Sequence, residues 1–327
     1  MTLILLGSIT PWHWASFLAA VLVFLALDLG VFHRKGRVVS FKEALAWTTL
    51  WFTLAMCFSV WMALSETFSE EPTRWKEFLT GYLVELSLSM DNVFVIALIF
   101  QYFRIPGHYQ HRVLFWGILG ALLMRGLMII AGVQLVQEFQ WILILFGAFL
   151  VYSGYKMLTS DDSGPDPEKN PILIWTHRFF PVTADLRGER FFVREDGRFM
   201  LTPLFLVLIM VETTDLIFAL DSIPAIIGIS TNMFVVFTSN VFAILGLRSL
   251  YFVLANALDY FTYLKYGLAA VLVFIGIKML VRDYVHIEAT AALFVIAGIL
   301  LSSIVVSLLN AGRGKKAATK DNQDQIS

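Results

Sequence analysis

The chain has 327 residues, 58% of them hydrophobic and 15% charged, with mean hydropathy +0.75 and formal net charge −1. A water-soluble domain has no use for that much apolar surface, so the composition specifies an all-α polytopic membrane protein. The balanced charge leaves no case for a nucleic-acid partner. The single cysteine, Cys57, cannot form an intrachain disulfide and gives no footing for thiol redox chemistry.

Hydropathy predicts nine spans. They are Trp12–Phe32, Ala44–Leu64, Phe78–Phe103, Val113–Val133, Phe139–Leu158, Leu201–Ile227, Phe234–Leu258, Tyr266–Val281 and Ala289–Leu309. The first stretch lacks the basic start and small-residue cleavage site of a signal peptide and reads as retained. With the N-terminus outside and the C-terminus cytoplasmic, 18 of the 24 Lys and Arg fall on the cytoplasmic side and four on the outer side. The remaining two, Arg125 and Arg248, lie within spans. This asymmetry fits the positive-inside rule and predicts a multi-pass membrane protein in that orientation.

Two N-terminal spans occupy residues 1–76, a first three-span block 77–158, a polar cytoplasmic segment 159–199, a second block 200–281, and the last span with its tail 282–327. The polar segment opens SDDSGPDPEKNP, rich in turn formers, and closes FFVREDGRFML, which reads as a β-hairpin turning at Asp196-Gly197. The tail after Asn310 is polar and is expected to be disordered.

Five acids interrupt the apolar runs. Glu85 and Asp91 lie in GYLVELSLSMDNVFVI, and Glu212, Asp215 and Asp221 in MVETTDLIFALDSIPAI. Each costs about 2.5–3.5 kcal/mol at the centre of a membrane helix. Five together point to a cation site or ion pathway. Asp28 lies near the end of its span and is left out of the site, and Lys156 and Lys278 can snorkel.

The two blocks repeat. Glu85 to Asp91 and Asp215 to Asp221 are both six residues apart, with Asn92 or Ser222 after the second Asp. LGALLMRGLM with Arg125 matches FAILGLRSLY with Arg248, and FLVYSGYKML matches VLVFIGIKML. The offsets are 130 at the acids, 123 at the arginines and 122 at Lys-Met-Leu. Three spans per block make the repeat inverted, which places a transport site near midplane. Helical spacing puts Glu85, Ser89 and Asn92 on one face but not Asp91. Asp215 and Asp221 likewise share no narrow face. Either the faces are wide and open on a polar cavity or the helices are locally unwound, and Pro224 supports unwinding of the sixth span beside Asp221.

The candidate ligands are Glu85, Asp91, Asn92, Glu212, Asp215, Asp221 and Ser222, all hard oxygen donors suited to Mg²⁺, Ca²⁺ or Mn²⁺. Met90 and Met210 beside them read as packing, though a thioether would favour Mn²⁺ over Ca²⁺. Arg125 and Arg248 read first as charge partners that lock the fold. Five acids against two arginines leave a formal −3, which a divalent ion together with protons would balance. That motivates cation/H⁺ exchange. The partners expected are therefore a divalent ion, protons and the lipid bilayer, with no prosthetic cofactor. The intramembrane GxGD protease signature and a nucleophile elbow are absent, so no enzymatic activity is expected.

At ELSLSMDNVFV, VETTDLIFALDSIPA, NVFAILGLR and GIKML the chain resembles the TerC/Alx family of bacterial integral membrane proteins, over nearly its whole length. The resemblance implies manganese homeostasis by Mn²⁺ export, with the family's intramembrane acids falling on Glu85, Asp91, Glu212, Asp215 and Asp221. Older descriptions of the family speak of tellurium resistance or redox modulation. A passive cation channel through the same acids is the other alternative.

Overall fold

The computed structural model describes residues 10–32, 40–65, 73–159, 176, 180–195, 197–254, 264–282, 284–285 and 287–324. The side chains of residues 27–32, 91, 308 and 310–324 are outside that description. The turn-rich SDDSGPDPEKNP stretch falls outside it too.

Among the described residues the helices are α1 (Pro11–Phe32), α2 (Phe41–Leu64), α3 (Arg74–Tyr102), α4 (Gly107–Glu138), α5 (Ile142–Thr159), α6 (Pro203–Ile229), α7 (Met233–Leu254), α8 (Leu264–Leu280) and α9 (Ala289–Asp324). Seven of them are long and apolar enough to cross a membrane: α2 to α7 and the Ala289–Ser307 part of α9. The nine spans expected from hydropathy are therefore met in seven cases by length and composition. α8, with 17 residues, falls short of the 18 that define such a helix, and the described apolar part of α1 ends at Ala26.

Local chemistry sets the ends. The Ser40 hydroxyl accepts the Glu43 amide at the start of α2 (3.3 Å). Pro203 occupies the first turn of α6, where its missing N–H costs nothing. The Asn232 side chain accepts the amides of Phe234 (3.0 Å) and Val235 (3.2 Å) and starts α7. A tight connection with Arg104 at φ 50° joins α3 to α4.

Two expectations are corrected. α6 runs unbroken through Pro224. Proline denies the Leu220 carbonyl its donor, but Pro224 is buried among packed neighbours that hold the helix together. The tail beyond Asn310 is not irregular: α9 continues to Asp324. Extending an existing helix avoids the nucleation cost, and Ala, Lys and Arg are good helix formers.

α7 is the axis of the bundle, with 89% of its most apolar window buried. It packs along α3 on one side and against α2 and α4 on others, while α6 packs against α3 and α4. α5 and α8 form the most extensive pair. They run antiparallel, since Gly147 lies against Gly276 and Gly154 against Ala269. Glycines let the two backbones touch, which drives helix association where lipid removes the hydrophobic incentive. The outer surface is apolar, with Leu22, Leu123, Leu127, Ile217, Phe294 and Leu301 all more than half exposed.

Strands β1 (Phe192–Glu195) and β2 (Arg198–Leu201) pair antiparallel, Phe192 opposite Leu201 and Glu195 opposite Arg198. Gly197 takes the φ of +76° that the turn demands. The hairpin docks on the start of α6 through Phe191 and Phe192 against Phe205. It reaches α4 through Arg112, whose guanidinium meets Glu189 at 3.3 Å and covers the Phe191 ring.

Candidate functional site

Arg125, 2% exposed in the middle of α4, collects groups from two other helices. Its Nε donates to Asp215 Oδ2 at 3.0 Å and its Nη2 to Asp215 Oδ1 at 2.7 Å. This is a two-pronged contact that only the planar guanidinium fork can make. Its Nη1 pairs with the Glu85 carboxylate on α3 and reaches Ser222 Oγ at 3.4 Å. The Asn92 amide of α3 donates to Asp215 Oδ1 at 3.3 Å. One buried cation thus ties α3, α4 and α6 together.

The cluster is over-supplied with negative charge. Glu85, with no exposed surface, and Asp215 give two carboxylates against one guanidinium. Glu212 lies one turn before Asp215 on α6, and its carboxylate rests over Gly120 of α4, where any Cβ would overlap it. Its Oε2 is buried and has no hydrogen-bond partner among the described residues. Ser89 Oγ, Asn92 Oδ1 and the Asn240 amide are likewise buried without hydrogen-bond partners among the described residues. Buried polar atoms left unmatched in this way are costly unless something else satisfies them.

The predicted site residues thus divide. Glu85, Asn92, Asp215 and Ser222 converge on Arg125, with Glu212 close by. Asp221 does not join them: it is half-buried and accepts a 2.6 Å hydrogen bond from Ser153 Oγ of α5. Arg248 is buried on α7. The side chains of Asp91 and Asp28 lie outside the described residues. Among the described residues no three His, Cys, Asp or Glu side chains are grouped so as to hold a metal ion.

Sequence reasoning missed Ser153 and Gly120 as contributors. Ser153 stands inside the repeated segment FLVYSGYKML, but its counterpart in the second block is Ile275, so the repeat gave no signal for it. Gly120 carried none, because its part is to be absent from a space another helix fills.

Apolar residues outside and a cluster of ionisable side chains inside define a multi-pass helical protein of the lipid bilayer, turned inside out relative to a soluble fold. The sequence matches the integral membrane protein TerC family over residues 70–316, and the chain belongs to that family. It is 50% identical over 314 residues to "Uncharacterized membrane protein STKORF319" of Myxococcus xanthus, covering 95% of this chain and 96% of that one. It is 45% identical to "Putative membrane-bound redox modulator Alx" of Salmonella typhi, over 94% of this chain and 97% of that one. To the protein of the same name in Escherichia coli K12 it is 44% identical, over 91% and 94%. No solved structure matches the chain.

Proposed function

We propose that the protein is a secondary transporter that exports a divalent cation, Mn²⁺, from the cytoplasm across the inner membrane, with protons moving inward in exchange. The observation that carries this reading is the carboxylate excess around Arg125. Glu85 and Asp215 share one guanidinium, and Glu212 lies beside them with an unmatched buried oxygen. A passing divalent ion would meet that charge, and protons would meet it once the ion has left. The donors are hard oxygens, which suits Mn²⁺ and disfavours Zn²⁺ or Cu⁺.

An inverted repeat of α3–α5 and α6–α8, entering the membrane from opposite sides, supplies the alternating architecture. Contacts that exchange under the repeat support it. The α3–α7 and α4–α6 interfaces are both extensive, and each maps onto the other. Shifting by 122 residues carries the Gly154–Ala269 contact onto Gly276–Gly147. Within this scheme Asp91 and Asp221 are equivalent positions, and Asp221, half-buried on Ser153, is the acid with access to a changing environment.

Two alternatives are separable. A passive channel through the same acids needs no proton gradient. A redox role, which the Salmonella and Escherichia relatives carry in their names, has only Cys57 to work with here, and one thiol per chain cannot close an internal dithiol couple.

The test is Mn²⁺ flux into proteoliposomes with and without an imposed pH gradient, using wild type, Asp91→Asn and Asp221→Asn. Asparagine keeps volume and removes charge. Gradient-dependent flux in wild type, lost in both variants while the protein still inserts, is the expected result. Calorimetry of Mn²⁺ binding in buffers of different ionisation enthalpy should register proton release. Undiminished flux in the variants would overturn the assignment of these acids, and flux indifferent to the gradient would make the protein a channel.

A further inference from the structure

Apart from the Arg125 cluster, a second polar concavity opens where α3 and α5 begin and α6 and α8 end. It is a cavity of about 260 Å³ lined by Arg74, Glu77, Ser230, Thr231, Lys278 and Arg282 among others. The sequence assigns four Lys and Arg to this end of the bundle, and three of them line this one cavity; the fourth, Lys76, bonds to Thr290 instead.

The charges do not cancel. Glu77 Oε2 receives Arg74 Nη1 at 3.4 Å and the Ser230 hydroxyl at 2.6 Å, so Arg74 and Glu77 account for each other. Lys278 and Arg282 make no hydrogen bond or ion pair with a described residue. Counted over the described residues, the cavity wall carries a formal +2. The ends of α6 and α8 and the starts of α3 and α5 meet here, so their dipoles roughly offset one another, and Glu77 also faces Lys278 across the cavity. Such a site repels the metal ions proposed as cargo.

What it would accept is an oxyanion. An ammonium with three donors, a guanidinium with five, and the Thr231 hydroxyl face one space, the Ser230 hydroxyl being given to Glu77. Guanidinium geometry matches phosphate oxygens in pairs. The volume is well above the ~30 Å³ share of one water and accommodates a phosphate group. The depth also fits. Arg74 is the first residue of α3, and Lys278 lies in the last turn of α8. Both stand at a helix end, where a bilayer presents its headgroup phosphates.

We infer that this cavity binds a phosphate-type oxyanion through Lys278 and Arg282, either the headgroup phosphate of an anionic phospholipid, whose charge no choline offsets, or free inorganic phosphate. The site does not depend on the transport reading.

The test uses the full-length protein in nanodiscs and follows its thermal unfolding midpoint. One arm compares phosphatidylcholine alone with phosphatidylcholine plus phosphatidylglycerol. The other titrates inorganic phosphate into the phosphatidylcholine nanodiscs. Variants are Arg282→Gln, Lys278→Gln with Arg282→Gln, and Lys76→Gln as a cation of the same end that does not line the cavity. Stabilisation in the lipid arm only assigns the site to a headgroup, and stabilisation in the phosphate arm assigns it to the free ion. In either case the double variant should need about tenfold more ligand for the same shift, as expected for lost charge-assisted hydrogen bonds. Lys76→Gln should behave as wild type. Arg282 is exposed, so Arg282→Gln keeps the fold and alone should weaken the response severalfold. No shift in either arm, or variants that respond like wild type, would overturn the site and leave the two cations serving only the end of α8.

Discussion

Replacing Arg125 by methionine leaves Glu85 and Asp215 buried without their cation. Breaking a buried pair by removing one partner costs about 3–5 kcal/mol, and here two acids lose the same partner. We predict a large fall in the unfolding midpoint of purified Arg125→Met, largely restored when Glu85→Gln and Asp215→Asn are added. Arg125→Lys should fall between, because a point charge cannot reproduce the fork that holds both oxygens of Asp215 and still reach Glu85. Fluorescence-monitored thermal unfolding of the series checks this. Additive losses in the combined variant, with no restoration, would show that the three groups do not act as one network.

Among the elements, the α5–α8 pair makes the sharpest claim. A Cβ at position 276 would lie 2.6 Å from the Gly147 carbonyl oxygen and 3.0 Å from the Val151 amide nitrogen, both backbone atoms that cannot swing aside. Gly276→Ala should therefore destabilise by about 1–3 kcal/mol, the usual cost of overpacking. At Gly298 in α9 a Cβ would meet nothing within 4 Å, so Gly298→Ala should be neutral or stabilise by up to about 1 kcal/mol. Paired unfolding measurements on the two variants test the contrast, and equal effects would contradict the close approach of α5 and α8. The hairpin offers a pH test. Arg187 Nε donates to Glu195 Oε1 at 2.7 Å, and this hydrogen bond holds the Glu195 carboxyl below its ordinary range. A lowered carboxylate contributes above its unfolded pKa, and the contribution is lost as pH falls through the folded value. Both groups are exposed, so the effect is local. Amide exchange in β1 and β2 should quicken toward acid relative to the intrinsic rate, and Arg187→Gln should flatten that dependence.

For the whole molecule, the proposed orientation has the N-terminus periplasmic and the chain cytoplasmic at the hairpin and at the tail. A reporter fused after Gly314 should read cytoplasmic, and one at the N-terminus periplasmic. A periplasmic reading at Gly314 would remove the odd span number that inverts the second block, and with it the exchange of α3 for α6. Neighbouring features agree with a shared end for the helices concerned. Lys76 at the start of α3 bonds Thr290 at the start of α9 at 2.6 Å, and Glu77 accepts from Ser230 just after α6.

Much of this was legible in the residues alone. Apolar runs announced a helical membrane protein, because a bilayer demands long apolar segments whatever their packing. Asp196-Gly197 between apolar runs announced a hairpin, because the turn's positive φ is a local requirement met by Gly197. The acids and arginines stood out because a charge at membrane depth must have a reason. Local pattern did not reach the partner choice. Arg125 meets Asp215, 90 residues away, and Asp221 meets Ser153, 68 residues away. Asp215 and Asp221 stand on the same helix and in the same motif, yet one is locked to a guanidinium and the other bonds a hydroxyl on α5. Pro224 looked like a break and is not one, since packing around it outweighs one missing hydrogen bond. The sequence determined which groups would be driven together in lipid. Tertiary structure decided which of them meet, because that depends on how helices distant in the chain cross, and small residues such as Gly120, Gly147 and Gly276 set the crossings by leaving room.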